Sequence, residues 1–361
     1  MGEPLNVGIV GLGVISAQYL ATIDRLPSVR LVAVADLNPA AAAAAAEPRE
    51  GVRALTVAEL LAAPEVDLVL NLTTPAAHAE IALAAIAAGK SVYGEKPLAS
   101  TCEQARPILD AAEKAGVVVG CAPDTVLGTG VQTARKAVDD GLIGTVISAT
   151  ATMAVPGHER WHPNPDFYYT PGGGPLFDMG PYYLSTLVTL LGPVTSVIGA
   201  ASRSRPTRTI ATGPRTGQTI PVTVDTHVTA VLTHASGALS TLVMSFDAVA
   251  TTAARLEIHG ETGSLVVPDP NHFDGDVQIQ TMDDDRWQTL PVSAGYLDAG
   301  RGIGLADLAA APVGGPRAGA DLAYHVLDIM ESVLLSAPQG RSVTLHSTVT
   351  RPSPVPLGSL F

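Results

Sequence analysis

Cysteine is scarce in this sequence: Cys102 and Cys121 are the only two among 361 residues. They form no CxxC pair, so we expect neither a disulfide framework nor a zinc site. Basic residues are also in short supply, with 21 Lys and Arg against 34 Asp and Glu and a net charge of −13. Because phosphate backbones are bound by basic surfaces, this balance argues against a nucleic-acid partner.

Long apolar runs are missing as well. The sequence has no uncharged stretch of about 18 apolar residues, which predicts no transmembrane segment. Its start carries Glu3 and no basic segment, so we expect no signal peptide and a cytoplasmic location. The apolar content of 47% indicates a globular protein, and the length predicts two domains.

A glycine-rich turn near the N-terminus follows the apolar run Asn6–Val10 and precedes a helical pattern. A second apolar run ends at Asp36, 23 residues after Gly13. This order is typical of dinucleotide binding, where glycines let the backbone approach a pyrophosphate at a helix N-terminus. Ser16 stands where a third glycine is usual, and a glycine-rich turn of another α/β fold remains the alternative. The turn residues predicted to bind the cofactor are Gly11, Gly13, Val14 and Ile15.

Asp36 indicates which dinucleotide is preferred. A carboxylate at a strand end accepts hydrogen bonds from the ribose hydroxyls of NAD and repels the 2′-phosphate of NADP. Leu37, Asn38 and Pro39 follow it, and no arginine lies close behind. We therefore expect NAD as the cofactor in preference to NADP.

Strands and helices continue to alternate as far as residue 124, which predicts a parallel sheet with right-handed crossovers. Ligands bind outside the carboxyl ends of such strands. The residues there that we predict to contact the cofactor are Thr73, Thr74, His78, Glu95 and Lys96. His78 also fits a simple helix-start residue, and Glu95-Lys96-Pro97 also fits a charged loop. The Lys96–Pro97 peptide bond is a candidate for the cis form.

Beyond residue 124 the strands are separated by short gaps, which is typical of a mostly antiparallel sheet. We predict an α/β architecture: an NAD(P)-binding Rossmann domain with a doubly wound parallel sheet at 1–124, and an α+β substrate-binding and oligomerisation domain with a large, open, mostly antiparallel sheet at 125–361. A broad apolar sheet face is expected to be covered. We therefore expect a homodimer or homotetramer formed through this sheet.

Four segments together carry a resemblance: the glycine turn, Thr73–His78, Gly94–Pro97 and Gly172–Gly180, which reads GGGPLFDMG. In this order they resemble the Gfo/Idh/MocA oxidoreductases, the family of glucose–fructose oxidoreductase and inositol dehydrogenase. The resemblance covers nearly the whole chain. It implies oxidation or reduction of a hydroxyl of a sugar, polyol or related ring compound with NAD or NADP.

The chain departs from that family pattern at one position. The pattern has an aspartate, matched by Asp178, and usually a histidine four residues later, where this chain has Tyr182. A branch similar to dimeric dihydrodiol dehydrogenase carries a tyrosine there, which implies Tyr182 as the acid/base. A phenol has a pKa of about 10 in water, so it needs a neighbouring cation; we expect Lys96 to supply it. Asp178 is expected to orient Lys96 or bind a substrate hydroxyl, and Pro181 to begin the helix that carries Tyr182.

The polar and aromatic segment before this motif is a candidate substrate loop. Trp161 and His162 are expected to contact the substrate, because aromatic faces stack on sugar rings. His158 and His162 lie four residues apart, but prolines on either side exclude a helix, so we expect no metal site.

The predicted function is hydride transfer between a nicotinamide and a hydroxyl-bearing carbon of a sugar or polyol. Two alternatives remain open at this point. One is an NAD-dependent glycoside-cleaving enzyme that recycles its bound cofactor. The other is a non-catalytic sensor of dinucleotide or sugar, against which the presence of Lys96 and Asp178 argues.

Overall fold

The N-terminal segment forms a parallel sheet in a computed structural model, which describes residues 3–310 and 315–361. Its elements are β1 (Leu5–Val10), α1 (Ser16–Ile23), β2 (Val29–Ala35), α2 (Pro39–Ala46), β3 (Arg53–Leu55), α3 (Val57–Ala62), β4 (Leu68–Asn71), α4 (His78–Ala87), β5 (Ser91–Gly94), α5 (Cys102–Ala115) and β6 (Val119–Cys121). The strand order is β3-β2-β1-β4-β5-β6, all parallel. This is the doubly wound Rossmann order, as the sequence predicted.

Local sequence signals account for the ends of several of these helices. Thr56 begins α3 with a capping box, because its hydroxyl accepts from Glu59 N at 3.3 Å while its own N–H donates to Glu59 Oε2 at 2.9 Å. The Thr101 hydroxyl caps the start of α5 by accepting from Gln104 N at 3.2 Å, and Gly116 ends that helix at φ +67°. Such caps pair backbone groups that a helix end leaves without intrahelical partners.

The rest of the described chain adds four helices and eleven strands. They are α6 (Thr129–Asp139), β7 (Val146–Ala154), α7 (Gly174–Leu191), β8 (Val194–Ser202), β9 (Thr207–Thr209), β10 (Thr219–Pro221), β11 (His227–His234), β12 (Leu239–Ser245), β13 (Leu256–Gly260), β14 (Gly263–Val267), β15 (Gln278–Thr281), β16 (Asp284–Thr289), α8 (Ile303–Ala309), α9 (Ala320–Gln339) and β17 (Val343–Thr344). Nine strands form a sheet in the order β16-β15-β14-β13-β7-β12-β11-β8-β17, and β9 pairs with β10 alone. Only the β7–β12 pair in the nine-stranded sheet is parallel, so the predicted mostly antiparallel sheet is confirmed.

The helix α7 packs on one face of this sheet, against β7, β11 and β12. Strand residues alternate between buried and less buried positions, so that Ala149, Ala151 and Met153 all contribute to the core on this face. The opposite face keeps apolar side chains such as Ile198 and Val231, which pair across neighbouring strands, exposed. Pairing of subunits through this sheet stays a prediction.

The chain forms two compact units, and the expected domain division into 1–124 and 125–361 stays a prediction. The first unit consists of Met1–Thr129, Ala294–Tyr324 and Pro352–Phe361, and the second consists of Gly130–Ser293 and His325–Arg351. The segments Ala294–Tyr324 and Pro352–Phe361 join the first unit through long-range hydrogen bonds. No local sequence pattern predicts these contacts. Cys121 N, for example, donates to Ala318 O at 3.0 Å.

Candidate active site

The glycine turn after β1 is tightly packed at Gly11 and open at Gly13. Gly11 has φ +97°, and a Cβ built on it would lie 2.7 Å from the backbone of Leu72 and Thr73. A Cβ on Gly13 would meet nothing within 4 Å, so this side of the turn is open. The N-terminus of α1 has no side-chain cap and no acidic residue in its first turn. Its N–H groups therefore suit the pyrophosphate of NAD.

The position of the usual third glycine is filled by a small buried serine. Ser16 Oγ donates to Gly13 O at 2.7 Å, which closes the turn on itself. Val14, by contrast, is 92% exposed, and Ile15 is half-buried at the helix start. The side chain of Val14 is thus exposed and that of Ile15 is partly exposed. Their predicted contacts with the cofactor stay predictions.

Asp36 follows β2 and is joined to the glycine turn. Its Oδ2 accepts from Leu12 N at 2.7 Å, and its Oδ1 accepts from Asn38 N at 2.8 Å. An ionised carboxylate offers about four acceptor positions, so these two bonds leave capacity for ribose hydroxyls. The two hydrogen bonds thus orient the Asp36 carboxylate and leave some of its acceptor positions available.

His78 connects the turns after β4 and β5. It is 2% exposed, and its ring nitrogens lie 2.6 Å from Pro97 O and 3.0 Å from Thr73 O. The Lys96–Pro97 bond is cis, which confirms that prediction. Thr73 is half-buried and Thr74 is exposed. The ring of His78 is thus engaged in holding two turns together, and its predicted contact with the cofactor stays a prediction.

Glu95 is buried beneath Lys96. Its Oε1 accepts from the Tyr19 hydroxyl at 2.7 Å, and its Oε2 accepts from Lys96 N at 2.9 Å. The carboxylate therefore fixes the backbone that presents Lys96, whose own side chain is half-buried. This contact with α1 is a role for Glu95 that the sequence motif alone did not indicate.

The predicted cofactor residues of the first unit gather along one edge of its sheet. Gly11, Asp36, Thr73 and Lys96 follow β1, β2, β4 and β5, which are consecutive neighbours in the order β2-β1-β4-β5. Parallel strands end at the same edge, so these residues share the ligand-binding edge of a doubly wound sheet.

In the second unit, Asp178 and Tyr182 both lie within α7. The expectation that Pro181 begins this helix was wrong, because the helix starts at Gly174 with Pro175 in its first turn, and Pro181 lies inside it. A first-turn proline loses no helical hydrogen bond, so Pro175 takes the position favoured for proline. With a spacing of four residues, Asp178 and Tyr182 are on the same face of the helix. Tyr182 is 5% exposed.

The triple glycine at the start of α7 brings this helix close to the preceding loop. A Cβ on Gly173 would lie 2.3 Å from Phe167 O, and Gly174 has φ +86°. Neither position would accept a side chain without displacement. The motif therefore allows the 158–170 loop to pack against the start of the helix that carries Asp178.

Sequence reasoning missed the residue that contacts Asp178 within this unit. His158 Nε2 lies 2.8 Å from Asp178 Oδ2, and Trp161 Nε1 donates to His158 Nδ1 at 3.2 Å. In the sequence, His158 stands out only through its spacing of four residues from His162. Because it is 20 residues from the aspartate and reaches it through an irregular loop, no spacing rule predicts the contact.

Trp161 and His162, predicted to contact substrate, lie in an aromatic group with Phe167 and Tyr168. Trp161 is 58% exposed. His162 Nδ1 accepts from Asn164 N at 3.1 Å, and burial lowers the pKa of His162. In residues 3–310 and 315–361, no three His, Cys, Asp or Glu side chains gather into a metal-binding group.

Comparison with known proteins matches both halves of the chain. Residues 5–122 match the model described as oxidoreductase family, NAD-binding Rossmann fold, and residues 131–266 match the GFO/IDH/MocA C-terminal domain. The chain belongs to the GFO/IDH/MocA oxidoreductase family. The resemblance inferred from its motifs is therefore confirmed, and the chain is an NAD-binding oxidoreductase.

The individual relatives described next are 26–35% identical to this chain over the matched residues. Levoglucosan dehydrogenase from Pseudarthrobacter phenanthrenivorans is 28% identical over 292 residues, 73% of each chain. A 1,5-anhydro-D-fructose reductase from Ensifer adhaerens is 35% identical over 185 residues, so the match spans about half of both proteins, 50% and 54%. An NAD-binding oxidoreductase from Klebsiella pneumoniae superposes with a TM-score of 0.81 at 26% identity, over 95% and 99% of the two chains. Within the part of the chain that the structure describes, no helix has the length and apolar character needed to cross a membrane.

Proposed function

We propose that this protein oxidises a secondary hydroxyl of a sugar or polyol with NAD, or reduces the corresponding ketone with NADH. The observation that carries the proposal is the pair Asp178 and Tyr182, one turn apart on α7, in a chain whose first unit is an NAD-binding Rossmann fold. The two relatives described above are named for a dehydrogenase of levoglucosan and a reductase of an anhydro sugar, which supports a cyclic sugar as the substrate class.

The chemistry requires a proton and a hydride to leave the same carbinol. Tyr182 takes the hydroxyl proton while the C–H bond breaks, and the carbon becomes a carbonyl. When bound, NAD supplies the nicotinamide that accepts the hydride. Lys96 provides the cation that a phenol needs in order to act near neutral pH. The carboxylate of Asp178 orients Lys96 or binds a hydroxyl of the substrate.

The cofactor is held by residues at the carboxyl edge of the parallel sheet. The open turn at Gly13 and the uncapped start of α1 receive the pyrophosphate, and Asp36 accepts the ribose hydroxyls. Trp161 offers an exposed ring against which a sugar can stack. NAD is therefore preferred to NADP, and the substrate is a ring compound with several hydroxyls.

A substrate panel tests this function. Purified protein is incubated with levoglucosan, myo-inositol, D-glucose, D-xylose and 1,5-anhydro-D-glucitol, each with NAD or NADP, and the absorbance of the reduced nicotinamide is followed. We expect net NADH formation with at least one compound. Turnover of a glycoside without net NADH would instead indicate a recycled cofactor, and an absence of any turnover in either direction would contradict the proposal.

Variants then test the proposed roles. We expect Tyr182→Phe to lower kcat by about 10²–10⁴-fold and to leave NAD affinity unchanged, since a general acid–base group contributes about that much. Lys96→Ala should also lower kcat, and the double variant should lose less than the product of the two, because the lysine acts through the tyrosine. Tyr183→Phe is the matched control: Tyr183 is adjacent and fully buried, and it lies about 100° away around the helix. Near-normal rates for Tyr182→Phe would refute its role.

A further inference from the structure

A chain of two hydrogen bonds in the second unit ends on Asp178. Trp161 Nε1 donates to His158 Nδ1 at 3.2 Å, and His158 Nε2 lies 2.8 Å from Asp178 Oδ2. The side chains of His158 and Asp178 are 12% and 16% exposed, so both are largely withdrawn from water. Hydrogen bonds to a carboxylate are strong and directional under these conditions.

The partners of His158 determine its tautomer. An indole N–H is a donor only, so His158 Nδ1 must accept and carries no proton in this arrangement. The proton of the neutral ring is then on Nε2, where it points at a carboxylate oxygen. With both nitrogens engaged, the imidazole is arranged to hold Asp178 and not to exchange protons with a substrate.

The backbone of His158 is fixed by a buried network. His158 N donates to the Tyr169 hydroxyl at 3.1 Å, which donates in turn to the carboxylate of Glu159. Glu159 forms an ion pair with Arg208 at 3.1 Å, and Arg208 is 3% exposed. Gly157, just before the histidine, has φ +107°, a conformation that L side chains rarely adopt.

The ring plane of His158 is fixed by aromatic neighbours. Phe246 lies 4.4 Å away between ring centroids, and Tyr168 lies 4.5 Å away in an edge-to-face arrangement. Phe246 is fully buried, so it provides an immobile surface behind the imidazole. The backbone, the ring plane and both ring nitrogens are all held, which is typical of a residue whose orientation matters.

From these contacts we infer that His158, oriented by Trp161, is a positioning residue that fixes the carboxylate of Asp178 for hydride transfer; this inference rests on the proposed function. The aspartate and Tyr182 share a face of α7, so a rotated Asp178 would change the surroundings of the proposed acid/base. The expected effect of losing His158 is therefore on kcat, while NAD binding in the other unit is unchanged.

Two substitutions at the same position separate positioning from packing. His158→Phe keeps a ring against Phe246 and Tyr168 but removes the donor to Asp178. His158→Gln keeps a donor and an acceptor but removes the ring. We expect His158→Phe to lower kcat by about 10–100-fold, the range of one charge-assisted hydrogen bond, and His158→Gln to recover most of that loss.

A control elsewhere in the unit checks for nonspecific effects. His259 is half-buried on β13 and its Nδ1 lies 3.0 Å from Ser264 Oγ, so His259→Phe removes a comparable histidine bond away from Asp178. This variant should keep the wild-type kcat. A loss of kcat in His158→Gln with a near-normal kcat in His158→Phe would indicate a packing role and overturn the inference. Equal losses in the two variants would also overturn it, because the retained donor would then recover nothing, and so would the absence of any loss.

A second measurement does not depend on turnover. Ring ¹⁵N chemical shifts, with the His158 signals assigned by their absence in His158→Phe, distinguish the two neutral tautomers and the cation. We expect the Nε2–H tautomer at neutral pH, and a change in the Nδ1 shift in Trp161→Phe. An Nδ1–H tautomer or a cationic ring would overturn the inference. If no sugar or polyol is turned over, the proposed function fails, and this measurement still decides how His158 holds Asp178.

Discussion

The buried carboxyl of Asp124 should make the stability of the first unit depend on pH. Asp124 is fully buried, and its Oδ2 accepts from Gly302 N at 2.7 Å and from Gly304 N at 3.2 Å. Its Oδ1 has no hydrogen-bond partner among the described residues. Burial raises the pKa of Asp124 from 3.8 to about 6, against the opposing effects of the two amides and of Arg301.

The direction of the effect follows from this raised pKa. Between pH 4 and pH 6 the folded protein keeps the Asp124 proton that the unfolded chain has already lost, so the free energy of unfolding falls as the pH rises. A difference of about two pKa units corresponds to about 3 kcal/mol, at about 1.4 kcal/mol per unit. Most of this contribution is lost by pH 7.

Asp124→Asn removes the titration and retains much of the geometry. The asparagine oxygen can accept from both glycine amides, as a protonated carboxyl does. We expect wild type and variant to be similar in stability near pH 4. At pH 7 the first unit of the variant should be more stable than that of the wild type by about 2–3 kcal/mol, because the variant has no buried carboxyl group to ionise at position 124.

Hydrogen–deuterium exchange of peptides from β4, β5 and β6, corrected for intrinsic exchange rates, measures this free energy in the first unit. Fluorescence is unsuitable there, because both tryptophans, Trp161 and Trp287, lie in the second unit. Asp110→Asn, at an exposed position of α5, controls for the loss of one negative charge. An Asp124→Asn protein whose stability falls with pH as steeply as the wild type would refute the reasoning.

Two further results are expected. Asp36→Ser should weaken NAD binding by about 10–100-fold and NADP binding much less, because it removes a charged acceptor of ribose hydroxyls; titration calorimetry with both dinucleotides measures the ratio, and an unchanged preference would contradict the role of Asp36. Arg208→Met should destabilise the second unit by about 3–5 kcal/mol, because it leaves the buried carboxylate of Glu159 and the partly buried carboxylate of Asp247 without their cation; urea unfolding followed by tryptophan fluorescence, with Arg208→Lys for comparison, tests this.

Much of the first unit was predictable because its signals are local. Gly11, the Asp36 strand end and the Lys96–Pro97 turn each depend on a few adjacent residues, and the strand–helix alternation fixes a parallel sheet with few alternatives. The bounds of β7, Val146–Ala154, also agree with the alternation in the sequence. The start of α7 was misplaced because Pro175 and Pro181 both fit a first helical turn, and only packing against the preceding loop distinguishes them.

The sequence by itself determined the family, the NAD-binding fold and the residues that follow the carboxyl ends of the parallel strands. These features depend on side-chain type and short spacing. Only the tertiary structure decided that His158 contacts Asp178, that Glu95 supports the backbone of Lys96, and that Ala294–Tyr324 joins the first unit. Each of these contacts joins side chains through an irregular loop or distant segments of the chain. Their distances depend on how the whole chain packs, which the local order of residues does not encode.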